Sequence, residues 1–122
     1  MTEYEGLQKL LREFSKEREW DQFHSPKNLA IALSVEASEL LEIFQWLTEA
    51  ESLDLSTEKR QCVGEEMADV FLYLLRLADR MGIDLTNEAE KKIEKNRGKY
   101  PADRVRGSSK KYTEYRSKTS GK

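Results

Sequence analysis

The chain has 122 residues, of which 38% are hydrophobic and 36% are charged, and this length and composition fit one charge-coated domain. No stretch approaches the roughly 18 consecutive apolar residues of a membrane-spanning helix, and the first residues lack a secretory signal pattern. We therefore expect a cytoplasmic protein with no membrane partner. The single cysteine, Cys62, and the single histidine, His24, exclude an internal disulfide and any site that needs several thiolate or imidazole ligands.

Charge is distributed unevenly along the chain. The net charge is −2, but residues 102–122 carry seven basic and two acidic residues, whereas residues 1–101 carry fourteen basic and twenty-one acidic ones. We therefore expect one helical domain over residues 1–101 and a basic C-terminal tail over residues 102–122. Because proteins that bind double-stranded nucleic acid usually have a basic body, no nucleic acid partner is expected.

Hydrophobic periodicity and capping residues predict four helices and an all-α fold class. Their approximate bounds are residues 4–19, 26–50, 57–82 and 84–98. Ser25 followed by Pro26 is typical of a helix start, and Gly82 is typical of a left-handed helix stop. A connector of about six residues between the two central helices favours an antiparallel hairpin inside a four-helix bundle.

Large apolar residues of the two central helices occupy more faces than one core stripe can bury. They are Phe44, Trp46, Leu47, Phe71, Leu72, Leu74 and Leu75. A helical bundle of this size exposes much apolar surface unless it associates. We therefore expect an oligomer.

Two pairs of acids interrupt the apolar seams of the two central helices. Glu36 and Glu39 lie one turn apart on the first of these helices, and Glu66 and Asp69 lie one turn apart on the second. Burying four carboxylates without cations would cost several kcal/mol each. Oxygen ligands without imidazole or thiolate favour Mg²⁺, or Mn²⁺, and two ions are compatible with four negative charges. The alternative is that these acids lie on a solvated face.

Aromatic and basic side chains supply the other parts of a potential nucleotide site. Trp46 and Tyr73 share the acidic faces and could stack on a base, while core packing or an oligomer interface is the alternative for each. Lys92 and Asn96 lie on one side of the last helix and could bind an anion, or belong to a solvated basic helix end. His24 fits either a structural loop residue or a ligand contact.

These motifs together resemble the all-α nucleoside triphosphate pyrophosphohydrolases of the MazG-like superfamily. Glu36-x-x-Glu39 and Glu66-x-x-Asp69 are similar to its metal motif. Further stretches resemble its dCTP pyrophosphatase branch, and the likeness covers about residues 5–116. These stretches are Glu17–Leu29, Phe44–Trp46, Lys99–Pro101 and Ser108–Tyr112.

The resemblance implies a subunit that pairs as a dimer of dimers into a homotetramer. It also implies Mg²⁺-dependent hydrolysis of a nucleoside triphosphate, dCTP or modified dCTP, to the monophosphate and pyrophosphate, in the cleansing of nucleotide pools. The implied metal ligands are Glu36, Glu39, Glu66 and Asp69. The implied or candidate substrate contacts are Trp20, His24, Trp46, Tyr73, Lys92 and Asn96.

Our mechanistic hypothesis is that the carboxylates hold two or more Mg²⁺ ions while a water attacks the α-phosphorus in line. Glu36 and Glu39 are the candidate catalytic residues, because either can accept the proton of that water. Two departures from the family pattern limit what the resemblance implies. Val35 stands before Glu36 where many members have a second glutamate, so one potential metal ligand or general base is missing. Leu11 stands where the vertebrate dCTP enzymes tend to have histidine, and Ala37-Ser38 replaces their usual Val-Gly, which leaves nucleobase selectivity open.

Three alternatives remain open at this point. The first keeps the enzyme class but gives it a broad or non-cytosine nucleotide substrate. The second is a non-catalytic helical interaction protein whose acids face solvent. The third is a carboxylate di-iron protein, which the sequence disfavours because that class needs Glu-x-x-His pairs and His24 lies in a predicted loop.

Overall fold

The structure is a computed structural model that describes residues 2–108, and every regular element in this range is helical. The predicted all-α fold class is confirmed. The six α-helices, α1 to α6, are Glu3–Glu17, Pro26–Phe44, Glu49–Ser52, Thr57–Met81, Leu85–Lys99 and Ala102–Val105. Within residues 2–108, none of these helices is long and apolar enough to cross a membrane. The chain divides into two compact units, the first ending at Ile83 and the second beginning at Asp84.

The centre of the first unit is the predicted antiparallel hairpin of α2 and α4. The Ser25 hydroxyl accepts a hydrogen bond from the amide of Asn28 at the start of α2, as the Ser25–Pro26 pair predicts. Ser56 caps α4 in the same way, and Gly82 ends it with a left-handed φ of 66°. These boundaries match the sequence prediction, because the capping residues are local signals.

Helix α1 packs along α4 and runs in the same direction. The side-chain amide of Gln8 donates to the carbonyl of Leu75, 3.1 Å away, and one turn further Arg12 forms an ion pair of 2.6 Å with Asp79. The most buried apolar residues lie at this end of the unit, and they are Leu29, Leu75 and Ala78.

The second helix is shorter than predicted. It ends at Phe44 instead of continuing to about Ala50, because Thr48 starts a new helix with a reciprocal capping box to Glu51. Trp46 and Leu47 therefore lie in the turn between α2 and α3. The prediction that Trp46 shares the acidic face of α2 is wrong for this reason.

The second unit begins with α5, whose first turn is capped by the Asp84 carboxylate. The helix ends at Lys99, one residue beyond the predicted end, and Pro101 precedes the short α6. Residues 109–122 lie outside the described residues, and with them most of the expected basic tail and of the Ser108–Tyr112 motif. The boundary near residue 101 stays a prediction.

Candidate metal centre and adjoining pocket

Three predicted metal ligands meet between α2 and α4. One carboxylate oxygen from each of Glu36, Glu39 and Glu66 lies within 4.8 Å of the other two. The spacing of three residues places Glu36 and Glu39 on neighbouring turns of α2, and the antiparallel pairing brings Glu66 of α4 opposite them. The neighbouring acids Glu42 and Glu65 are exposed and do not belong to the cluster, so only some of the acids on these two helices converge.

The cluster is electrostatically unfavourable without a cation. The Oε2 atoms of Glu36 and Glu66 have almost no accessible surface, and neither has a hydrogen-bond partner among residues 2–108. Burial, together with smaller contributions from Glu39, Asp69 and Glu66, raises the pKa of Glu36 from 4.5 to about 7. Burial also raises the pKa of Glu66, and the close carboxyl group of Glu39 adds to the rise. Converging oxygen ligands with unpaired lone pairs fit a hard divalent cation.

Asp69 stands at the edge of this cluster. Its charge contributes to the raised pKa of both Glu36 and Glu66, but none of its oxygens belongs to the group within 4.8 Å. Its side chain instead lines an adjoining pocket. Asp69 therefore connects the carboxylate cluster to the pocket.

The adjoining pocket has a volume of about 210 Å³ and lies within the first unit. It contains three of the six residues predicted to contact substrate, Trp20, His24 and Tyr73, and is mostly apolar. The complete lining is Leu11, Phe14, Ser15, Trp20, His24, Asp69, Leu72, Tyr73 and Arg76. An aromatic pocket beside a carboxylate cluster can hold a planar ring while the cluster holds a cation.

One wall of the pocket is a chain of aromatic contacts. The ring centroids of Phe14 and Trp20 are 5.6 Å apart, and those of Trp20 and His24 are 6.2 Å apart, both edge to face. The turn that follows α1 produces this arrangement. Glu19 adopts a left-handed φ of 56°, and the amide of Trp20 donates to the carbonyl of Ser15, which folds Trp20 back beside Phe14.

Arg76 is a pocket residue that the sequence analysis missed. It is only 5% exposed, and its guanidinium forms an ion pair of 2.6 Å with Asp21. A signal was present in the sequence, because Arg76 is a lone basic residue in the apolar part of α4. It lies one turn after Tyr73 and two turns after Asp69, on the same face.

The other three predicted contacts are not among the residues that line this pocket. Trp46 is 86% exposed in the turn after α2 and does not line the pocket. Lys92 and Asn96 are exposed on α5, in the second unit. Their roles stay predictions.

Comparison with known proteins identifies related sequences. A model of the MazG-like family matches residues 31–115. The dCTP pyrophosphatase 1 of Homo sapiens is 45% identical over 112 residues, which make up 90% of this chain and 66% of that protein. The protein of the same name from Rattus norvegicus is 42% identical over the same shares. The chain thus spans just under two thirds of the length of these curated relatives.

A solved structure gives the same result for the fold. The crystal structure of a pyrophosphatase from Archaeoglobus fulgidus superposes with a TM-score of 0.78 at 43% identity, covering 83% of this chain and 94% of that one. The helical fold and the identity over most of the chain agree with the family match over residues 31–115. The chain belongs to the MazG-like family.

Proposed function

We propose that this protein is a Mg²⁺-dependent nucleoside triphosphate pyrophosphohydrolase that converts dCTP, and modified dCTP, to dCMP and pyrophosphate. The observation that carries the proposal is the convergence of Glu36, Glu39 and Glu66 within 4.8 Å beside an aromatic pocket. The relatives described above, dCTP pyrophosphatase 1 and an archaeal pyrophosphatase, support the proposed reaction and the cytosine base.

Each part of the site has a role in the proposed reaction. Glu36, Glu39 and Glu66 hold the cation through their converging oxygens, and Asp69 completes the set from the pocket edge. When bound, Mg²⁺ supplies positive charge that offsets the carboxylates and the triphosphate and favours ionisation of the attacking water. Mn²⁺ has similar oxygen-ligand chemistry and is the expected substitute.

Proton transfer and substrate positioning are the tasks of the side chains. The water attacks the α-phosphorus, the bond to the oxygen that bridges to the β-phosphorus breaks, and Glu36 or Glu39 accepts the water proton. Trp20 and Tyr73 pack against the base, and His24 contacts it from the same pocket. The family resemblance supports a role for Lys92 and Asn96 in contacting phosphate or sugar, and a role for Trp46 in enclosing the base and sugar.

The proposed working form is a homotetramer, a dimer of dimers, in the cytoplasm. Large apolar side chains on the first unit support association, because Ile31 and Val35 of α2 and Met67 and Phe71 of α4 are about half exposed in one subunit. The exposed free thiol of Cys62 suits a reducing compartment.

The decisive experiment measures pyrophosphate and monophosphate release from a panel of nucleotides with Mg²⁺ and with EDTA. The panel is dCTP, 5-methyl-dCTP, dTTP, dUTP, dATP, dGTP and CTP. We expect release from dCTP and 5-methyl-dCTP in the presence of Mg²⁺ and no release in the presence of EDTA. Similar release from all bases would replace the cytosine assignment with a broad one. No release from folded, Mg²⁺-binding protein would instead favour a non-catalytic binding role.

The Glu39→Gln variant tests the catalytic cluster. It removes one charge with almost no change in volume, so turnover should fall by roughly 100-fold or more while the helical circular dichroism is unchanged. Glu42→Gln is the matched control, because Glu42 is exposed on the same helix and the substitution is identical. Equal activity in both variants would reject the role of Glu39.

A further inference from the structure

The pocket contains a buried cation that the proposed reaction does not use. Arg76 is 5% exposed, and its Nη2 donates to the Asp21 carboxylate at 2.6 Å, while its Nη1 lies 3.7 Å from the Asp79 carboxylate. Its Nε donates to Nδ1 of His24, 3.3 Å away. A buried guanidinium is costly unless its donors are satisfied, so these three contacts fix the position of the group.

The hydrogen bond from Arg76 determines which ring nitrogen of His24 carries the proton. A guanidinium N–H only donates, so Nδ1 of His24 must present a lone pair. The Ser15 hydroxyl lies 3.4 Å from the same nitrogen and can also donate to it. The proton of the uncharged ring is therefore on Nε2. Among residues 2–108, the hydrogen bonds of the His24 ring are both made at Nδ1, and His24 lines the pocket.

The charged groups around the ring favour its uncharged form. Burial lowers the pKa of His24, and the positive charge of Arg76 lowers it further; Asp21 opposes this effect, and Arg80 adds to it. Arg80 donates to the backbone carbonyl of His24 and not to the ring.

We propose that Arg76 is a positioning residue for substrate recognition: it holds His24 in the tautomer with its proton on Nε2, so that the pocket offers one ring N–H donor to a hydrogen-bond acceptor on the nucleobase. This inference rests on the proposed function for the identity of the ligand. The aromatic rings supply stacking that every base satisfies, whereas a donor fixed in direction discriminates between acceptors and donors on the base edge. Without Arg76 we expect the ring to sample both tautomers. In the tautomer that lacks a proton on Nε2, this nitrogen presents a lone pair and cannot donate to an acceptor on the base.

The tautomer can be measured directly because His24 is the single histidine of the chain. In the full chain labelled with ¹⁵N-histidine, two-bond ¹H–¹⁵N correlation spectra at pH 7 should show a protonated Nε2 and an unprotonated Nδ1. In Arg76→Met and Arg76→Lys the spectrum should shift toward a mixture of tautomers. Arg76→Lys keeps the positive charge opposite Asp21, so it provides a folded variant if the methionine substitution does not fold.

Arg80→Met is the matched control. It removes an arginine next to the same histidine but leaves the ring hydrogen bond intact, so the Nε2–H tautomer should persist. The proposal is overturned if wild-type His24 is protonated on Nδ1 or on both nitrogens at pH 7. It is also overturned if the Arg76 variants keep the wild-type tautomer.

A second arm tests recognition. Loss of one hydrogen bond should raise the KM for dCTP roughly fivefold in Arg76→Met with a smaller change in kcat. In a His24→Gln background, where an amide N–H replaces Nε2–H and has no tautomer, the same Arg76→Met change should alter KM less than twofold. An equal effect in both backgrounds would show that Arg76 acts through structure alone and would overturn the proposal.

The two arms separate this inference from the proposed function. If the wild-type protein hydrolyses no nucleotide, the proposed function fails, and nucleobase recognition by His24 fails with it. The tautomer spectra still decide whether Arg76 orients His24. If dCTP is hydrolysed and the His24 signals do not move when dCMP is added, recognition by His24 is overturned while the enzyme assignment stands.

Discussion

At the scale of single residues, the ionised carboxylates of the cluster destabilise the metal-free fold but are the form that binds a cation. Oε2 of Glu36 and Oε2 of Glu66 are buried with no hydrogen-bond partner among residues 2–108, so ionising them in the metal-free protein is unfavourable. The same lone pairs are available to a cation. Stability and metal affinity should therefore depend on pH in opposite directions.

The metal-free protein should lose stability as pH rises through the range in which Glu36 ionises. Its folded-state pKa, about 7, exceeds the unfolded value of 4.5, so its contribution is fully present below pH 4.5 and is lost as pH rises through about 7. The measurement is the difference in denaturation midpoint between wild type and Glu36→Gln in EDTA. This difference should decrease as the pH is raised from 5 to 8. The identical substitution at an exposed position of α4, Glu65→Gln, is the control. A constant difference between wild type and Glu36→Gln would contradict the raised pKa.

Mg²⁺ should stabilise the protein more at pH 8 than at pH 5.5. Protons and the cation compete for the same oxygens of Glu36 and Glu66, so binding is coupled to proton release. The measurement is the increase in Tm on adding Mg²⁺ at the two pH values. The increase should vanish in Glu36→Gln. An increase of equal size at both pH values would place the ion away from these carboxylates.

At the scale of the elements, helix ends rest on identifiable residues. Gly82 has φ +66° at the end of α4, where a side chain is strained, so Gly82→Ala should destabilise the fold by about 1 kcal/mol. Gly64 lies inside α4, and a Cβ there meets nothing within 4 Å, so Gly64→Ala should stabilise it by about 0.5–1 kcal/mol. Denaturant midpoints at one protein concentration check both. Two changes of the same sign would show that backbone conformation is not the cause.

The helix boundaries show what sequence patterns can predict. Ser25 and Gly82 act within one turn of the chain and lie at helix ends as predicted, and Ser56 and Asp84 cap α4 and α5 in the same local way. The early end of α2 was missed because the apolar periodicity continues into Leu47 while Thr48 already caps the next helix. Periodicity predicts which face of a helix a residue occupies, whereas capping residues determine where the helix ends.

The candidate site was predictable in part for the same reason. Glu36, Glu39 and Glu66 interrupt two apolar seams, and pairing of those seams is sufficient to bring them together. Arg76 was not predicted, because its burial depends on Asp21 and His24, which lie more than 50 residues away in the sequence. The local pattern marks Arg76 as a lone basic residue among apolar ones, but its partners depend on how α1, the following turn and α4 meet.

At the scale of the whole molecule, one subunit buries few of the residues between 2 and 108. The buried apolar residues in this range are Leu29, Leu75 and Ala78, whereas Phe71 is 45% exposed and Trp46 is 86% exposed. A helical chain gains most of its stability by burying one face of each helix, and here much of that apolar surface is left exposed. Association between copies is the simplest way to cover it.

The mass in solution should therefore be a multiple of 14.2 kDa, and fourfold if the proposed tetramer is correct. Phe71→Glu places a charge in the exposed apolar surface of α4, and burying that charge between subunits is costly, so the mass measured by light scattering should fall. Gln61→Glu adds the same charge at an exposed position on the same helix and should leave the mass unchanged.

Because the carboxylate cluster lies within one subunit, a dissociated Phe71→Glu variant should still bind Mg²⁺. If Lys92, Asn96 or Trp46 acts from a neighbouring subunit, the same variant should lose dCTP hydrolysis. Wild-type protein with the mass of a single chain would instead show that the exposed apolar surface has another role.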